Sequence, residues 1–276
     1  MSRKPLDRRA LFSSAAAAAL LAAAGVSAGP LPQRGGKLRL ALSGAMRSDD
    51  WIKGDGLFMQ VARLGLIYET LTEVAADGTL HGELATAWRS SPDARVWAFD
   101  LREGITFHDG TLFTVADVVH SLSALGEVRA RGQSIVEITL ADPDPALPFT
   151  LSDSAHIIRP AHDAQAGIGT GLYRVRHFAA GQQLLAERVA VHWKDGQSGW
   201  FDEVELVSIP SSLVRTQAVA EYLVDGADIA DASALTGFDD IAVWDGQAVA
   251  RSVAMPMMLG RGVFDDLRAA QRWWGA

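Results

Sequence analysis

Leu84-Ala85-Thr86-Ala87-Trp88 leads through Ser91-Pro92-Asp93 into Trp97-Ala98-Phe99-Asp100-Leu101-Arg102-Glu103-Gly104-Ile105-Thr106-Phe107-His108-Asp109-Gly110, and then into Thr114-Val115-Ala116-Asp117-Val118-Val119. Alternation over Val96–Leu101 predicts a strand that turns Phe99 and Leu101 into a core and Arg102 outward. Phe107 packs below them. His108-Asp109-Gly110 turns the chain, with Gly110 free to take positive φ. Thr114 then caps a helix whose Val115, Val118, Val119 and Leu122 share one face. Asp117, three residues after the cap, completes a capping-box arrangement. Residues 83–88 read as a short helical segment ahead of the strand. His108 and Asp109 invite an acid–base or metal reading. Adjacent residues at a strand end point to opposite faces, so both are assigned to the turn rather than to chemistry.

Working outward, Lys37–Leu42 alternates as a strand with one buried face, and residues 43–56 read as a loop. Phe58, Val61, Ala62, Gly65 and Leu66 recur at helical spacing, a pattern that runs to Leu71. Asp77-Gly78 is a turn. Downstream, residues 135–140 alternate as a strand and Asp142-Pro143-Asp144-Pro145 stops the pattern. Residues 173–178 and 183–188 read as a hairpin around Ala180-Gly181. A strand over 204–209, a helix over 213–223, a short strand over 228–230, an extended run over 251–258 and a helix over 265–274 follow. Interspersed strands and helices predict an α/β chain (α+β, mixed sheets).

The 276 residues include no cysteine, which removes disulfides, thiolate metal sites, a cysteine nucleophile and a cysteine lipid anchor from consideration. Arg3, Lys4, Arg8 and Arg9, a short Ala/Leu-rich run and Val26-Ser27-Ala28 read as a signal peptide over residues 1–28. Arg8-Arg9 followed by Leu11-Phe12 resembles the twin-arginine variant, with Ala28 at the cleavage point. An uncleaved anchor or a basic tail is the alternative. Residues 29–36 read as a flexible leader. Without residues 1–28, four basic groups and Asp7 leave, and the net charge moves from −8 to −11. Such a chain is a poor partner for nucleic acid. The histidines show no ligand spacing, the glycines at 167, 169 and 171 do not follow a strand as a dinucleotide loop requires, and no G-x-S-x-G occurs. Trp273-Trp274 reads as a helix end on a core or as a sticky surface.

The stretch from Leu84 to Val119 resembles the signature of the peptide- and nickel-type solute-binding proteins that serve ATP-binding-cassette importers, roughly L-A-x-x-W, S-x-D, F-x-L-R, G-V-x-F-H-D-G and T-A-x-D-V-V. Ile67-Tyr68-Glu69-Thr70-Leu71 resembles the family's V-Y-E-x-L. Gly169-Thr170-Gly171-Leu172-Tyr173 resembles G-T-G-P-Y with leucine in place of proline. His192-Trp193 resembles Y-W, and Asp225-Gly226-Ala227-Asp228-Ile229-Ala230 resembles G-x-A-D-I-A.

This resemblance implies a class II periplasmic-binding-protein-like fold. Residues 37–250 become the first lobe with a reduced inserted small domain, residues 251–276 a remnant of the crossover, and the second lobe is largely missing. It implies a peptide-like solute, touched at Ala45 and Met46 in the loop after the first strand, with a core role for Met46 as the alternative. It implies a membrane permease as partner, a periplasmic location, and no cofactor, metal or catalysis. Arg102, Phe107, His108, Asp109, Gly110, Asp117, Gly169, Gly171 and Tyr173 are then structural. The apolar Val253-Ala254-Met255-Pro256-Met257-Met258-Leu259 is expected to be covered by the other lobe or by a partner chain. Two functions stay open: the solute-binding subunit of an importer, and a degenerate paralogue that binds no solute and serves as an interaction module.

Overall fold

The computed structural model describes residues 34–75, 78–245 and 252–256. The expected export signal with Arg8, Arg9 and Ala28, the residues Met257, Met258 and Leu259, and the expected helix over 265–274 lie outside them. In chain order the elements are β1 (Lys37–Leu42), α1 (Leu57–Arg63), β2 (Thr72–Val74), β3 (Leu80–Gly82), β4 (Ala85–Ser90), β5 (Val96–Leu101), α2 (Val115–Leu122), β6 (Glu127–Ala130), β7 (Ile135–Thr139), α3 (Leu147–Thr150), β8 (Tyr173–Ala179), β9 (Gln183–Arg188), β10 (Glu203–Ser208), α4 (Ser212–Ala220), β11 (Gly226–Ile229), β12 (Ile241–Asp245) and β13 (Ser252–Pro256).

Among the described residues the larger sheet runs β12-β13-β11-β1-β10-β9-β8. β1 lies parallel to β10 on one side and to β11 on the other. The alternation read in β1 is realised: Leu38, Leu40 and Leu42 enter a core with Phe58, Met59, Val61 and Ala62 of α1, while Ala41 meets Ala218 and Val219 of α4 on the opposite face. β11 is buried along its whole length because helices and neighbouring strands cover both faces. Residues 252–256 are extended as read, and their backbone pairs with β11 and β12.

The second sheet runs β4-β5-β7-β6 and has its own core. Trp97, Phe99 and Leu101 alternate inward from β5 and meet Phe107, Val118 and Leu122 there. α2 begins as its sequence predicts. The Asp117 carboxylate accepts from the Thr114 backbone N–H and hydroxyl, both at 2.8 Å, and its other oxygen accepts from the Ala161 N–H at 2.8 Å.

Three local expectations are corrected. Residues 83–88 are not helical. Ala85–Ser90 is strand β4, because antiparallel pairing with β5 overrides the helix preference of Leu and Ala. The helix from Leu57 stops at Arg63 rather than running to Leu71; Gly65 takes φ +85°, and the chain folds back through a Leu64–Tyr68 bridge. Arg102 does not point free into solvent. Its Nε donates to the Glu83 carbonyl at 3.0 Å, and its guanidinium lies 3.8 Å from the centre of the Trp193 ring.

Two glycines test the turn and the crossing differently. Gly110 has φ +87° with open space where a Cβ would stand, whereas a Cβ on Gly169 would overlap the Ile67 carbonyl oxygen. Gly110→Ala is therefore expected to cost about 1–2 kcal/mol through backbone strain alone. Gly169→Ala should cost more, on the order of 3 kcal/mol or above, since two main chains must part. Urea midpoints of both variants check this; equal losses would show that the close approach carries no weight.

Candidate functional site

β10, β1 and β11 end at one edge, and the connection from β10 through α4 to β11 crosses over β1. In open parallel sheets the crevice beyond the carboxyl ends is where ligands sit. Beneath this edge Asp228 and Arg215 form a buried ion pair, Nη2 to Oδ2 at 3.0 Å, with side chains 3% and 5% exposed. Asp228 Oδ1 accepts from the Ser43 N–H at 2.8 Å and Oδ2 from the Ser43 hydroxyl at 2.7 Å. Arg215 donates from Nε to the Asp228 carbonyl at 2.6 Å, and from Nη1 to the carbonyls of Ile209 at 2.5 Å and Pro210 at 2.9 Å. The loop after β1 is held further along. Asp49 accepts from the Met46 N–H at 2.7 Å, and the buried Arg63 donates to the carbonyls of Ile52 and Gly54. Met46, Leu213 and Val214 present exposed apolar side chains beside these anchors, in the loop after β1 and on the first turn of α4.

A second cluster sits away from that edge. The loop carrying Gly169 and Gly171 crosses the Leu66–Ile67 backbone closely enough that Gly171 N–H donates to the Ile67 carbonyl at 3.0 Å. His108 clasps this crossing: Nε2 lies 2.8 Å from the Gly171 carbonyl, and Nδ1 lies 3.3 Å from the Gly169 N–H. Those partners require a neutral imidazole with its proton on Nε2. Burial lowers its pKa accordingly. Next to it, Glu69 accepts from Trp193 Nε1 at 2.9 Å. Lys194 Nζ lies 2.5 Å from Glu83, 2.9 Å from Glu73 and 3.6 Å from Glu69. Glu83 also accepts from the Thr70 N–H and hydroxyl, both at 2.8 Å. Glu69, Glu73, Glu83, Trp193 and Lys194 line a cleft of about 190 Å³ together with Gln197 and Ser198. Among the described residues no three His, Cys, Asp or Glu side chains are arranged to hold a metal ion.

The family described as bacterial extracellular solute-binding proteins, family 5 middle, matches residues 79–269, more than half of the chain. This chain belongs to that family. A probable peptide ABC transporter periplasmic-binding protein of Sinorhizobium fredii is 29% identical over 133 residues, 40% of this chain and 25% of its own length. A probable D,D-dipeptide-binding periplasmic protein of Escherichia coli is 29% identical over 193 residues, 58% of this chain and 37% of its own length. Among solved structures, the binding protein AgaA of A. tumefaciens R10 in complex with agropinic acid superposes with TM-score 0.67 at 25% identity, over 75% of this chain and 47% of that one. The fold is that of class II periplasmic binding proteins. The chain spans about a quarter to a half of the length of these relatives.

In this family-5 chain the motifs that carry the resemblance come together in space. Glu69, Thr170 and Trp193 come from three separate motifs and meet at one buried carboxylate. Arg102 stacks on that Trp193. Tyr173 ends the glycine crossing and donates its hydroxyl to the Phe201 carbonyl at 3.0 Å. Asp109 closes its turn by accepting from the N–H and hydroxyl of Thr111, and His162 Nε2 lies 2.9 Å from its other oxygen. Of the two expected solute contacts, Ala45 is half-buried against the main core and Met46 is 60% exposed, which excludes the core role for Met46. Sequence reasoning passed over Ser43, Asp49, Arg63 and Arg215, and took Asp228 only as part of a motif. Asp228 in an otherwise apolar strand was the available signal, because a buried carboxylate needs a partner.

Burial raises the Glu69 pKa to about 7, against the pull of Lys194 and with the push of Glu83. Burial lowers the His192 pKa to about 4; its Nε2 bonds the Thr170 carbonyl at 2.9 Å. The folded chain thus holds more protons than the unfolded one at Glu69 between pH 4.5 and 7, so this group's stability falls as pH rises through that window. It holds fewer at His192 between pH 4 and 6.5, so that group's stability rises over its window. The two slopes offset from pH 4.5 to 6.5. Urea midpoints of His192→Gln, which keeps a donor for Thr170, should therefore fall progressively below those of the unaltered chain as pH rises from 4.5 to 6.5. Matching pH profiles would refute the assignment. Lys194→Met, which strips the cation from three carboxylates, should cost about 3–5 kcal/mol at pH 8 and less at pH 5.

Proposed function

We propose that this chain is the solute-binding component of an ATP-binding-cassette importer, taking a peptide or a related small solute at the carboxyl edge of β1, β10 and β11 and working with a membrane permease. The observation that carries the reading is the family-5 match over residues 79–269. The rigidly held loop at the edge of the parallel strands supports it. Preorganised loops bind with less ordering cost than mobile ones. Ala45 and Met46 are the proposed contacts, Met46 supplying an exposed, adaptable apolar side chain. Residues 37–250 form the first lobe in this reading, with the β4–β7 sheet and α2 as its inserted small domain, and residues 251–276 lead toward the crossover. The chain is proposed to bind its solute without converting it.

Three probes test it by calorimetry on the whole chain: the dipeptide Met-Leu, the tetrapeptide Ser-Thr-Ser-Ala, and nickel with L-histidine. They are chosen because family-fold proteins of known structure hold them. Saturable binding of one probe with Kd below about 1 mM, weakened by Met46→Asp, is the expected result. No binding to any of the three would favour a degenerate paralogue acting as an interaction module.

Residues 1–28 are proposed as a twin-arginine export signal that delivers the chain to the periplasm. Replacing Arg8 and Arg9 together by Lys should leave the precursor in the cytoplasm. Fractionation of cells carrying the variant checks this, and processing at the unaltered level would overturn the twin-arginine assignment.

A further inference from the structure

Backbone pairing between β1 and β11 covers Leu40 with Gly226 and Ala41 with Ala227, and goes no further. The last residue of β1 and the start of its loop therefore have no ladder on the β11 side. The Asp228 side chain takes over at that point. One oxygen accepts from the Ser43 N–H at 2.8 Å and the other from the Ser43 hydroxyl at 2.7 Å, a two-point grip on one residue. Behind it Arg215 holds the same carboxylate at 3.0 Å and the carbonyls of Ile209 and Pro210 at 2.5 and 2.9 Å. One buried pair thus ties the ends of all three parallel strands.

Such a pair is a poor device for stability. Removing two charges from water costs about as much as their attraction returns, and well-packed apolar residues of the same volume hold a core at least as firmly. What a charged pair adds is direction, because each hydrogen bond fixes an angle as well as a distance. Here the fixed direction is that of Ser43, two residues before Ala45 and three before Met46.

We propose that Asp228 and Arg215 are positioning residues: through Ser43 they set the conformation of the Ser43–Met46 turn at the carboxyl edge. Their link to solute binding rests on reading that edge as the solute face; their hold on the turn does not. Neither residue touches solute. Asp228 acts through Ser43, and Arg215 acts by holding the Asp228 carboxylate in its orientation.

The test is site-resolved amide hydrogen exchange on the whole chain carrying Asp228→Asn, followed by calorimetry with Met-Leu and Ser-Thr-Ser-Ala. The Ser43 amide is expected to exchange at least about tenfold faster than in the unaltered chain, while the amides of Leu40 and Leu206 inside the sheet keep their rates. Unchanged protection at Ser43 overturns the positioning role. If Asp228→Asn fails to fold, the double variant Asp228→Leu with Arg215→Met removes both charges and keeps the volume, and the same loss at Ser43 is expected. Faster exchange together with weaker peptide binding supports both the positioning role and the solute face. Faster exchange with peptide affinity unchanged, or with no peptide bound by the unaltered chain, keeps the positioning role and overturns the solute-face reading.

Discussion

The Glu69 carboxylate is the point on which the arrangement of the two sheets depends. It is buried, and burial alone would drive it neutral. Trp193 gives it a hydrogen bond and Lys194 a cation, and both come from the loop that follows β9. The same Lys194 reaches Glu73 in β2 and Glu83 just after β3. One lysine therefore joins the segment before β2, both strands' ends of the hairpin and the loop leading to β10. Arg102, directly after β5, lies over the Trp193 ring of the same cluster. The larger sheet and the smaller one are connected through this node and through the His108 clasp beside it.

The node explains why apparently chemical residues are structural here. His108 has both ring nitrogens committed to backbone groups of the glycine crossing, so it has no lone pair or proton to offer a substrate. Asp109 spends its oxygens on Thr111 and His162. The crossing itself works because Gly169 lacks a side chain where the Ile67 carbonyl stands. Geometry at the carboxyl edge follows a parallel logic: charged groups buried below the surface fix backbone directions, and Met46, Leu213 and Val214 stand exposed beside them.

Much of this was legible in the residues. The alternation in β1 and β5, the hairpin of β8 and β9, and the Thr114–Asp117 cap all follow from short-range physics: period, turn chemistry and one local side-chain bond. The fold class and the family followed from dense motifs. The helix over 83–88 was misread because leucine and alanine favour helix when no neighbour is considered, and strand β5 was the neighbour that decided otherwise.

The sequence by itself determined the family, the alternating faces of β1 and β5, the β8–β9 hairpin and the cap of α2; the last three depend on neighbours within a turn or two of the chain. Only the tertiary structure decided which distant groups meet. Ser43 and Asp228 are 185 residues apart, and Glu69 and Trp193 are 124 apart. No period or spacing encodes such a meeting. It is set by parallel strand order and by a backbone crossing, and the pairings are enforced by the cost of leaving a buried charge or donor without its partner.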